Sequence, residues 1–238
     1  MSTQGLIVKS VKYSETSLIL TLFTKALGLQ SYMMRGVRAS KSKGRGNVLQ
    51  PMQLLHVEVT NRENKNLQTI KEFRPALVYE QIPFHINRTA MGMFMLEVIN
   101  ASIQETEPNE ALFEYLESAY HFLDQVEEIS PLYHLKFMLG LTGHLGFLPM
   151  NNYSTATPYF ALDEGQFVEA ERRDFILSEV NSALFHKLLI TPMSALAELN
   201  TTKIQRKSLL SALEAYFKLH VMNFREFRTP LIFGQVFE

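Results

Sequence analysis

The chain has 238 residues, of which 46% are hydrophobic and 20% are charged, and its formal net charge at pH 7 is -1. This composition supports a buried core and excludes a disordered polymer, and the near-neutral charge means that any surface for a polyanion must be local. Cysteine is absent, which excludes disulfide bonds, thiol catalysis and zinc sites built on thiolates.

The first third of the chain has the pattern of short β-strands separated by turns. Between residues 55 and 60 apolar and polar side chains alternate, as expected of a strand with one exposed face. Five such strands predict a small barrel or sandwich, and an OB-type barrel uses its open face and loops to bind oligonucleotides. Pro75 marks the expected end of this domain. The five predicted strands cover residues 5–11, 17–24, 29–34, 55–60 and 67–73.

The segment from Arg35 to Pro51 joins the third predicted strand to the fourth and is strongly basic. Its glycine and serine residues disfavour a helix, so the sequence predicts a flexible loop. Several cations on such a loop suit a polyanion, most often nucleic acid, although a solvated loop that happens to be basic is the alternative. The segment contains no acidic residue, and its cations are Arg35, Arg38, Lys41, Lys43 and Arg45.

An ordered set of short motifs runs through the same region: Gly5, Tyr13-Ser14-Glu15, Phe23-Thr24, Gly28, Arg35-Gly36-Val37-Arg38, Lys41-Ser42-Lys43 and Leu49-Gln50-Pro51. In order and spacing these motifs resemble the N-terminal part of the RecO family of bacterial recombination mediators. Residues 67–72 are similar to the last barrel strand of that family. The resemblance implies an α+β fold in which a five-stranded OB-fold barrel, residues 1–78, is followed by a helical domain, residues 79–238.

The rest of the chain has the apolar periodicity of helices. A helix is expected over 87–101, and another begins at Pro108 and Asn109. Ser130 is expected to cap the next helix with Pro131 at its first position, and this helix ends near Gly143 or Gly146. The last three are expected from Ser178 to near Leu189, from Thr191-Pro192, and from Thr201 or Thr202 onward.

A break in the helical pattern, at about residues 147–173, predicts a small β-hairpin around Asp163-Glu164-Gly165. The preceding segment, 145–149, matches a Leu-Gly-aromatic-x-Pro signature that in RecO-like proteins leads into a cysteine zinc module, but no cysteine follows here. His121, His134 and His144 have no spacing of a zinc motif. We therefore predict a metal-free hairpin held by aromatic packing of Phe147, Tyr153, Tyr159, Phe160 and Phe167.

Two groups of residues are candidates for binding. The predicted DNA contacts are Lys9, Tyr32 and the five cations of the basic segment. Tyr32 is preferred over Tyr13 and Phe23 as a base-stacking ring, because Phe23 lies in an apolar strand and is expected to be buried. A possible second basic surface, for which a solvated helix face is the alternative, consists of Lys203, Arg206, Lys207, Arg225 and Arg228.

The sequence contains no recognisable catalytic motif, since the spacings of a P-loop, of H-E-x-x-H and of G-x-S-x-G are all missing. We therefore predict a protein that is not an enzyme and needs no cofactor. The N-terminus lacks the apolar stretch of a signal peptide and no apolar run reaches the length of a membrane span, which favours a soluble intracellular protein.

The family resemblance implies a cytoplasmic, nucleoid-associated protein of bacteria that binds single- and double-stranded DNA and anneals complementary strands. It also implies work with RecR, contact with the acidic C-terminal tail of the single-stranded-DNA-binding protein, and help in loading RecA onto coated strands. The alternative is an adaptor whose basic loop binds acidic protein tails without binding DNA.

Overall fold

A computed structural model describes residues 1–37, 45–61, 65–104, 106–169 and 174–227, apart from the side chains of Arg45 and Asn47. The chain forms two compact units, Met1–Gln125 and Val126–Glu238. The first unit contains a barrel with two helices, and the second contains the remaining helices and a small hairpin. The boundary near residue 78, which the sequence places between barrel and helices, stays a prediction.

The N-terminal strands close into a five-stranded barrel, in the order β1-β2-β3-β5-β4. Neighbouring strands are antiparallel except β3 and β5, which run parallel where the barrel closes. Apolar side chains from all five strands fill the interior, Leu20, Leu22 and Val57 among them. All five predicted strands and the OB-type barrel are confirmed. The bounds are β1 (Ser2–Lys12), β2 (Leu18–Thr24), β3 (Gly28–Met34), β4 (Leu54–Thr60) and β5 (Leu67–Pro75).

Two strands of the barrel contain a bulge, where one extra residue interrupts the pairing. In β1 the extra residue is Val8, whose carbonyl accepts a hydrogen bond of 3.0 Å from the side-chain amide of Asn100. In β5 it is Lys71, because Ile70 pairs with Val59 while Glu72 pairs with the preceding residue of β4. A bulge changes the direction of a side chain relative to the regular alternation. Lys71 and Glu72 are accordingly both exposed.

Two helices, α1 (Ile86–Ser102) and α2 (Glu110–Gln125), complete the first unit. The side chain of Asn109 accepts a hydrogen bond of 2.9 Å from the Leu112 N–H and so caps α2, close to where the sequence predicts that a helix begins. Lys25, in the turn between β2 and β3, contacts Glu110 at 2.9 Å and Glu114 at 2.8 Å. These hydrogen-bonded carboxylates raise the pKa of Lys25 and link the barrel to the first turns of α2.

Asp124, near the end of α2, is a buried carboxylate that organises the segment after the barrel. Its two oxygens accept hydrogen bonds of 2.9 Å from the backbone N–H groups of Glu80, Gln81 and Ile82. The side chain of Arg88 donates to the neighbouring carbonyl of Leu123. One side chain therefore fixes the path of three consecutive backbone amides between β5 and α1.

Gly28 supplies a test of how the barrel packs. Its φ is +63°, and a Cβ atom there would lie 2.4 Å from the carbonyl oxygen of Glu107 and 2.5 Å from that of Thr106. We expect Gly28→Ala to lower the free energy of unfolding by about 3 kcal/mol, since backbone strain and overpacking add. Thermal unfolding followed by circular dichroism measures the effect.

Gly36 provides the matched control for this substitution. Its φ of +71° imposes a similar backbone strain, but no atom of a described residue lies within 4 Å of the position that a Cβ would take. Gly36→Ala should therefore cost only about 1 kcal/mol. Equal losses in the two variants would show that close packing on residues 106 and 107 is not what restricts Gly28.

The second unit contains α3 (Tyr133–His144), α4 (Glu179–Ile190) and α5 (Lys203–His220), with a short 3-10 helix at Met193–Glu198. The predicted caps of α4 and α5 are confirmed, as Ser178 accepts from the Asn181 N–H and Thr202 from the Gln205 N–H. The expected start of α3 is wrong by two residues. The chain first closes a turn, in which the Tyr133 N–H donates to the Ser130 carbonyl, and the helix follows.

The predicted hairpin is present as β6 (Tyr159–Ala161) and β7 (Gln166–Val168), and aromatic rings pack around it as expected. The ring centre of Phe160 lies 4.9 Å from that of Phe167 and 4.3 Å from that of Phe185. Phe167 also meets Tyr153, at 5.2 Å, and the carbonyl of Phe147 accepts a hydrogen bond of 2.6 Å from the Tyr216 hydroxyl. Within the described ranges no group of three or more histidine, aspartate or glutamate residues is placed to hold a metal ion.

The hairpin leads to a prediction about its source of stability. Phe160→Leu should lower the free energy of unfolding by about 1.5 kcal/mol, because a fully buried ring loses two close ring contacts. Phe175, which is 55% exposed, offers the control Phe175→Leu with little expected change. Addition of a metal chelator should leave the melting temperature of the unsubstituted protein unchanged. A lower melting temperature with chelator would show that a metal ion contributes to stability.

Candidate nucleic-acid interface

The barrel closes where β3 pairs with β5, and a cavity lies beside this junction. We call the β3–β5 junction the seam and the cavity the seam cavity. The parallel pairing of β3 and β5 extends over only three residue pairs, from Ser31 with Leu67 to Met33 with Thr69. Beyond this point the two strands are no longer paired, and a cavity of about 640 Å³ lies between them. Four of its lining residues also belong to the apolar interior of the barrel or pack against it, namely Met34, Val37, Ile70 and Phe73.

Three exposed cations line this cavity: Arg35, Lys65 and Lys71. Arg35 directly follows β3, Lys65 precedes β5, and Lys71 is the bulged residue of β5. No ion pair joins any of the three to a carboxylate in the described part of the chain, and no acidic residue is among the described residues that line the cavity. A concave site lined by charges of one sign concentrates the field, so this cavity attracts anions.

A second, smaller cavity of about 290 Å³ on the same barrel has a different character. Two carboxylates, Glu58 and Glu72, line it together with His56 and Arg74. Charges of both signs compensate one another at this position. The barrel therefore favours an anion at the seam between β3 and β5 rather than here.

The structure places the residues predicted to contact DNA as follows. Arg35 lies at the seam cavity, whereas Lys9 is exposed on β1 and does not line it. Arg45 begins a short 3-10 helix, Arg45–Val48, and its side chain lies outside the described part of the chain. The remaining cations of the basic segment also lie outside the described residues, namely Arg38, Lys41 and Lys43.

The expectation that the Tyr32 ring stacks on a base is not met, because this side chain is 0% exposed. The alternation of β3 directs Tyr32 and Met34 into the barrel, where both belong to the apolar core. Burial raises the pKa of the Tyr32 hydroxyl to about 12. Phe23 is buried as predicted, and of the three candidate rings only that of Tyr13 is exposed, at 64%.

The cavity residues that were not predicted as contacts include Lys65, Lys71 and the half-buried Phe73. A signal for Lys71 was present, since two consecutive charged residues, Lys71 and Glu72, interrupt the alternation of β5 in the way that a bulge does. Lys65 lies at the end of a polar turn and gives no comparable signal. Phe73 has the pattern of an ordinary core residue, and only the open seam makes it part of a cavity.

The residues of the possible second basic surface do not form one group, because some lie at the start of α5 and another follows its end. Lys203, Arg206 and Lys207 lie within the first two turns of this helix, at spacings that share one face. The Arg206 guanidinium donates to the carbonyl of Thr201 at 2.8 Å. Arg225 follows the far end of the 18-residue helix, in a segment that turns back along α5, since the Phe227 N–H donates to the Glu214 carboxylate. Arg228 lies outside the described residues.

Comparison with known proteins matches both parts of the chain to one family. The family model described as "Recombination protein O N terminal" matches residues 1–79, and "Recombination protein O C terminal" matches residues 83–226. The chain belongs to the RecO family. The resemblance inferred from the N-terminal motifs is thus confirmed, and the second match extends it over the helical part.

Relatives from several bacteria match over nearly the full length of this chain. The DNA repair protein RecO of Christiangramia forsetii is 31% identical over 236 residues, which cover 99% of this chain and 98% of the relative. The proteins of the same name from Flavobacterium psychrophilum and Flavobacterium johnsoniae are 30% and 31% identical, and each match covers 100% of this chain and 99% of the relative. Family membership makes this chain a DNA repair protein of the recombination-mediator type. None of its described helices has the length and apolar character needed to span a bilayer.

Proposed function

We propose that this protein binds DNA at the seam cavity and along the adjoining basic segment, residues 35–45, and acts there as a recombination mediator. The observation that carries the proposal is the group of three exposed cations, Arg35, Lys65 and Lys71, around a cavity without a described carboxylate. Such a group is suited to phosphate oxygens, because each cation can replace counterions condensed on the DNA backbone. The basic segment between β3 and β4 adds four further cations in sequence to the same end of β3.

Contacts of this kind position a strand without reading its sequence. The protein therefore binds single and double strands of any sequence, and the affinity depends on salt. Neutralised phosphates on two complementary strands repel one another less, so the same surface supports strand annealing. This is the physical basis on which we assign annealing to the barrel.

The helical unit is proposed to contact protein partners. An acidic peptide with an apolar end requires an apolar contact flanked by cations. The start of α5 offers this combination, since Ile204 is 80% exposed and lies between Lys203 and Lys207 in sequence. We propose the acidic tail of the single-stranded-DNA-binding protein as this partner. We further propose cooperation with RecR and loading of RecA onto coated strands, as the family resemblance implies.

Titration of labelled single-stranded DNA at several salt concentrations tests the proposal. The logarithm of affinity should fall with the logarithm of salt concentration, with a slope of about -0.7 for each contacted phosphate. Three cations at the cavity alone predict a slope of about -2. The alternative function, an adaptor for acidic protein tails, predicts binding of an acidic peptide and no affinity for DNA even at low salt. That result would exclude the proposed DNA binding.

A further inference from the structure

We infer that the bases of a single strand lie on an apolar row across the outside of the barrel, while its phosphates reach the cations of the seam cavity. The row consists of Val11, Ile19 and Met33, with Tyr13 at one end, and we call it the outer row. This inference rests on the proposed DNA binding and goes further, because it assigns a surface to the bases and not only to the backbone.

Cross-strand pairing places the residues of the outer row in one line. Val11 of β1 lies opposite Ile19 of β2, and Ile19 lies opposite Met33 of β3. Tyr13 lies two residues beyond Val11, and its N–H donates a hydrogen bond of 3.1 Å to the carbonyl of Ser17, which keeps it beside the β1–β2 ladder. Two strand spacings separate Val11 from Met33, about 10 Å, which is the length of about three stacked bases.

The outer row faces away from the apolar interior of the barrel. The sequence neighbours of both Ile19 and Met33 belong to the barrel core. Because successive side chains of a strand alternate, Ile19 and Met33 point outward, and both are half-buried. Val11 is 44% exposed and Tyr13 is 64% exposed. The solvated face of an antiparallel sheet usually has polar side chains, so four apolar or aromatic residues in one row indicate a contact surface.

The outer row leads directly to the seam cavity. Met33 also lines this cavity, together with the cations Arg35 and Lys71. The outward positions on the adjoining line of β2 and β3 have hydroxyl groups, since Thr21 lies opposite Ser31. A single strand can therefore place its uncharged bases on the row and its phosphates at the cations, and none of these described residues is a carboxylate that would repel it.

The outer surface of β4 and β5 does not suit the same ligand. Glu58 of β4 lies directly opposite Glu72 of β5, and both line the smaller cavity. Two neighbouring carboxylates repel phosphates, whereas the cations at the end of the outer row attract them. Charge thus favours the β1–β2–β3 side of the barrel for a polyanion, and the apolar row there suits flat, uncharged groups such as bases.

The bases of a duplex are paired and stacked on one another, so they reach the outer row only if the pairs open first. The cations contact single and double strands alike, whereas the outer row contributes only with single strands. Stacking and apolar contact tolerate any base, which agrees with binding that is independent of sequence. The inferred consequence is a preference for single strands that persists when phosphate number and salt concentration are the same.

The experiment compares two oligomers of equal length and charge by fluorescence anisotropy. One is oligothymidylate, and in the other every base is replaced by a tetrahydrofuran abasic unit. We expect the unsubstituted protein to bind oligothymidylate about tenfold more tightly, as for one base stacked on an aromatic ring. Val11→Thr with Tyr13→Thr should remove most of this difference, while Lys71→Ala should weaken binding of both oligomers by the same factor. Circular dichroism confirms that each variant is folded.

Val78→Thr with Phe84→Thr is the matched control. It also replaces one valine and one aromatic residue, which are 73% and 78% exposed and lie after the barrel strands. This variant should keep the full difference between the oligomers.

Equal affinity of the unsubstituted protein for both oligomers would overturn the inference and leave DNA binding intact. Persistence of the difference in the folded variant of Val11 and Tyr13 would overturn the assignment to the outer row. Loss of the difference in the control would overturn it as well, because any exposed apolar pair would then have the same effect. Absence of binding to either oligomer would refute the proposed function itself.

Discussion

Replacement of Arg35 and Lys71 by glutamate is expected to lower the affinity for single-stranded DNA on the order of 100-fold at moderate salt. Two phosphate contacts are lost, and each new carboxylate repels the backbone. The slope of log affinity against log salt should also become less steep by about 1.4, since each contacted phosphate contributes about 0.7. The loss should be the same for all sequences, because phosphate contacts carry no sequence information.

Lys9→Glu with Lys12→Glu is the control for this double variant. Both lysines are exposed on β1, outside the seam cavity, and the substitutions change the net charge by the same amount. A small loss is expected from the general change in potential. An equally large loss in the control would show that binding follows net charge or a site on β1, and not the cations at the seam. This comparison also decides the predicted contribution of Lys9.

Asp124→Ala should lower the free energy of unfolding by about 4 kcal/mol, the largest effect on stability that we expect from a single substitution. The change leaves the N–H groups of Glu80, Gln81 and Ile82 without the acceptor that each has in the native protein. Donors left without a partner are costly, most of all the fully buried N–H of Ile82, whereas the side chain removed contributes little apolar burial. Because the chain contains no tryptophan, thermal unfolding is best followed by circular dichroism.

The same carboxylate gives the stability a dependence on pH. Burial by itself raises the pKa of Asp124, but hydrogen bonds from the N–H groups of Glu80, Ile82 and Gln81 and from the Gln125 amide outweigh it, so the pKa lies below its ordinary value. A depressed pKa in the folded state means that the unfolded state takes up the proton first. The contribution of Asp124 is therefore complete above the unfolded pKa, about 3.9, and is lost as the pH falls below it.

Asp124→Asn separates this contribution from that of the other carboxylates, because its group does not titrate. The difference in stability between the unsubstituted protein and Asp124→Asn should be constant above about pH 5 and shrink as the pH falls toward 3. Glu15→Gln is the control, since Glu15 is exposed and makes no hydrogen bond or ion pair with another described residue. A difference that does not change with pH for Asp124→Asn would contradict a charged carboxylate at this position.

The elements of the fold were predictable where a local pattern determines them. The alternation of residues 55–60 identified β4, and the polar side chains of Ser178 and Thr202 identified the starts of α4 and α5. The start of α3 was placed too early, because Pro131 is equally compatible with a turn before the helix. The aromatic packing around the hairpin was predictable from the absence of cysteine, which leaves the ring residues to fill the space.

The candidate site was predictable only in part. The charge of Arg35 and its position after a strand are properties of the local sequence, and the structure places it at the cavity. Lys65 and Phe73 reach the same cavity through the parallel pairing of β3 with β5, which joins segments more than 30 residues apart. Tyr32 failed as a stacking residue for the same reason, because closure of the barrel decides which face of β3 is enclosed.

The closure of the barrel by only three residue pairs between β3 and β5, against five to seven in each of the other ladders, has a mechanical consequence. Few backbone hydrogen bonds join β3 to β5, so local opening of the barrel costs the least free energy at this junction. Under the proposed function, a strand of DNA bound by Arg35 at one edge and by Lys71 at the other would bridge this junction. Amide hydrogen exchange along β3 and β5 should then slow when DNA is added, while exchange between β1 and β2 stays as it was.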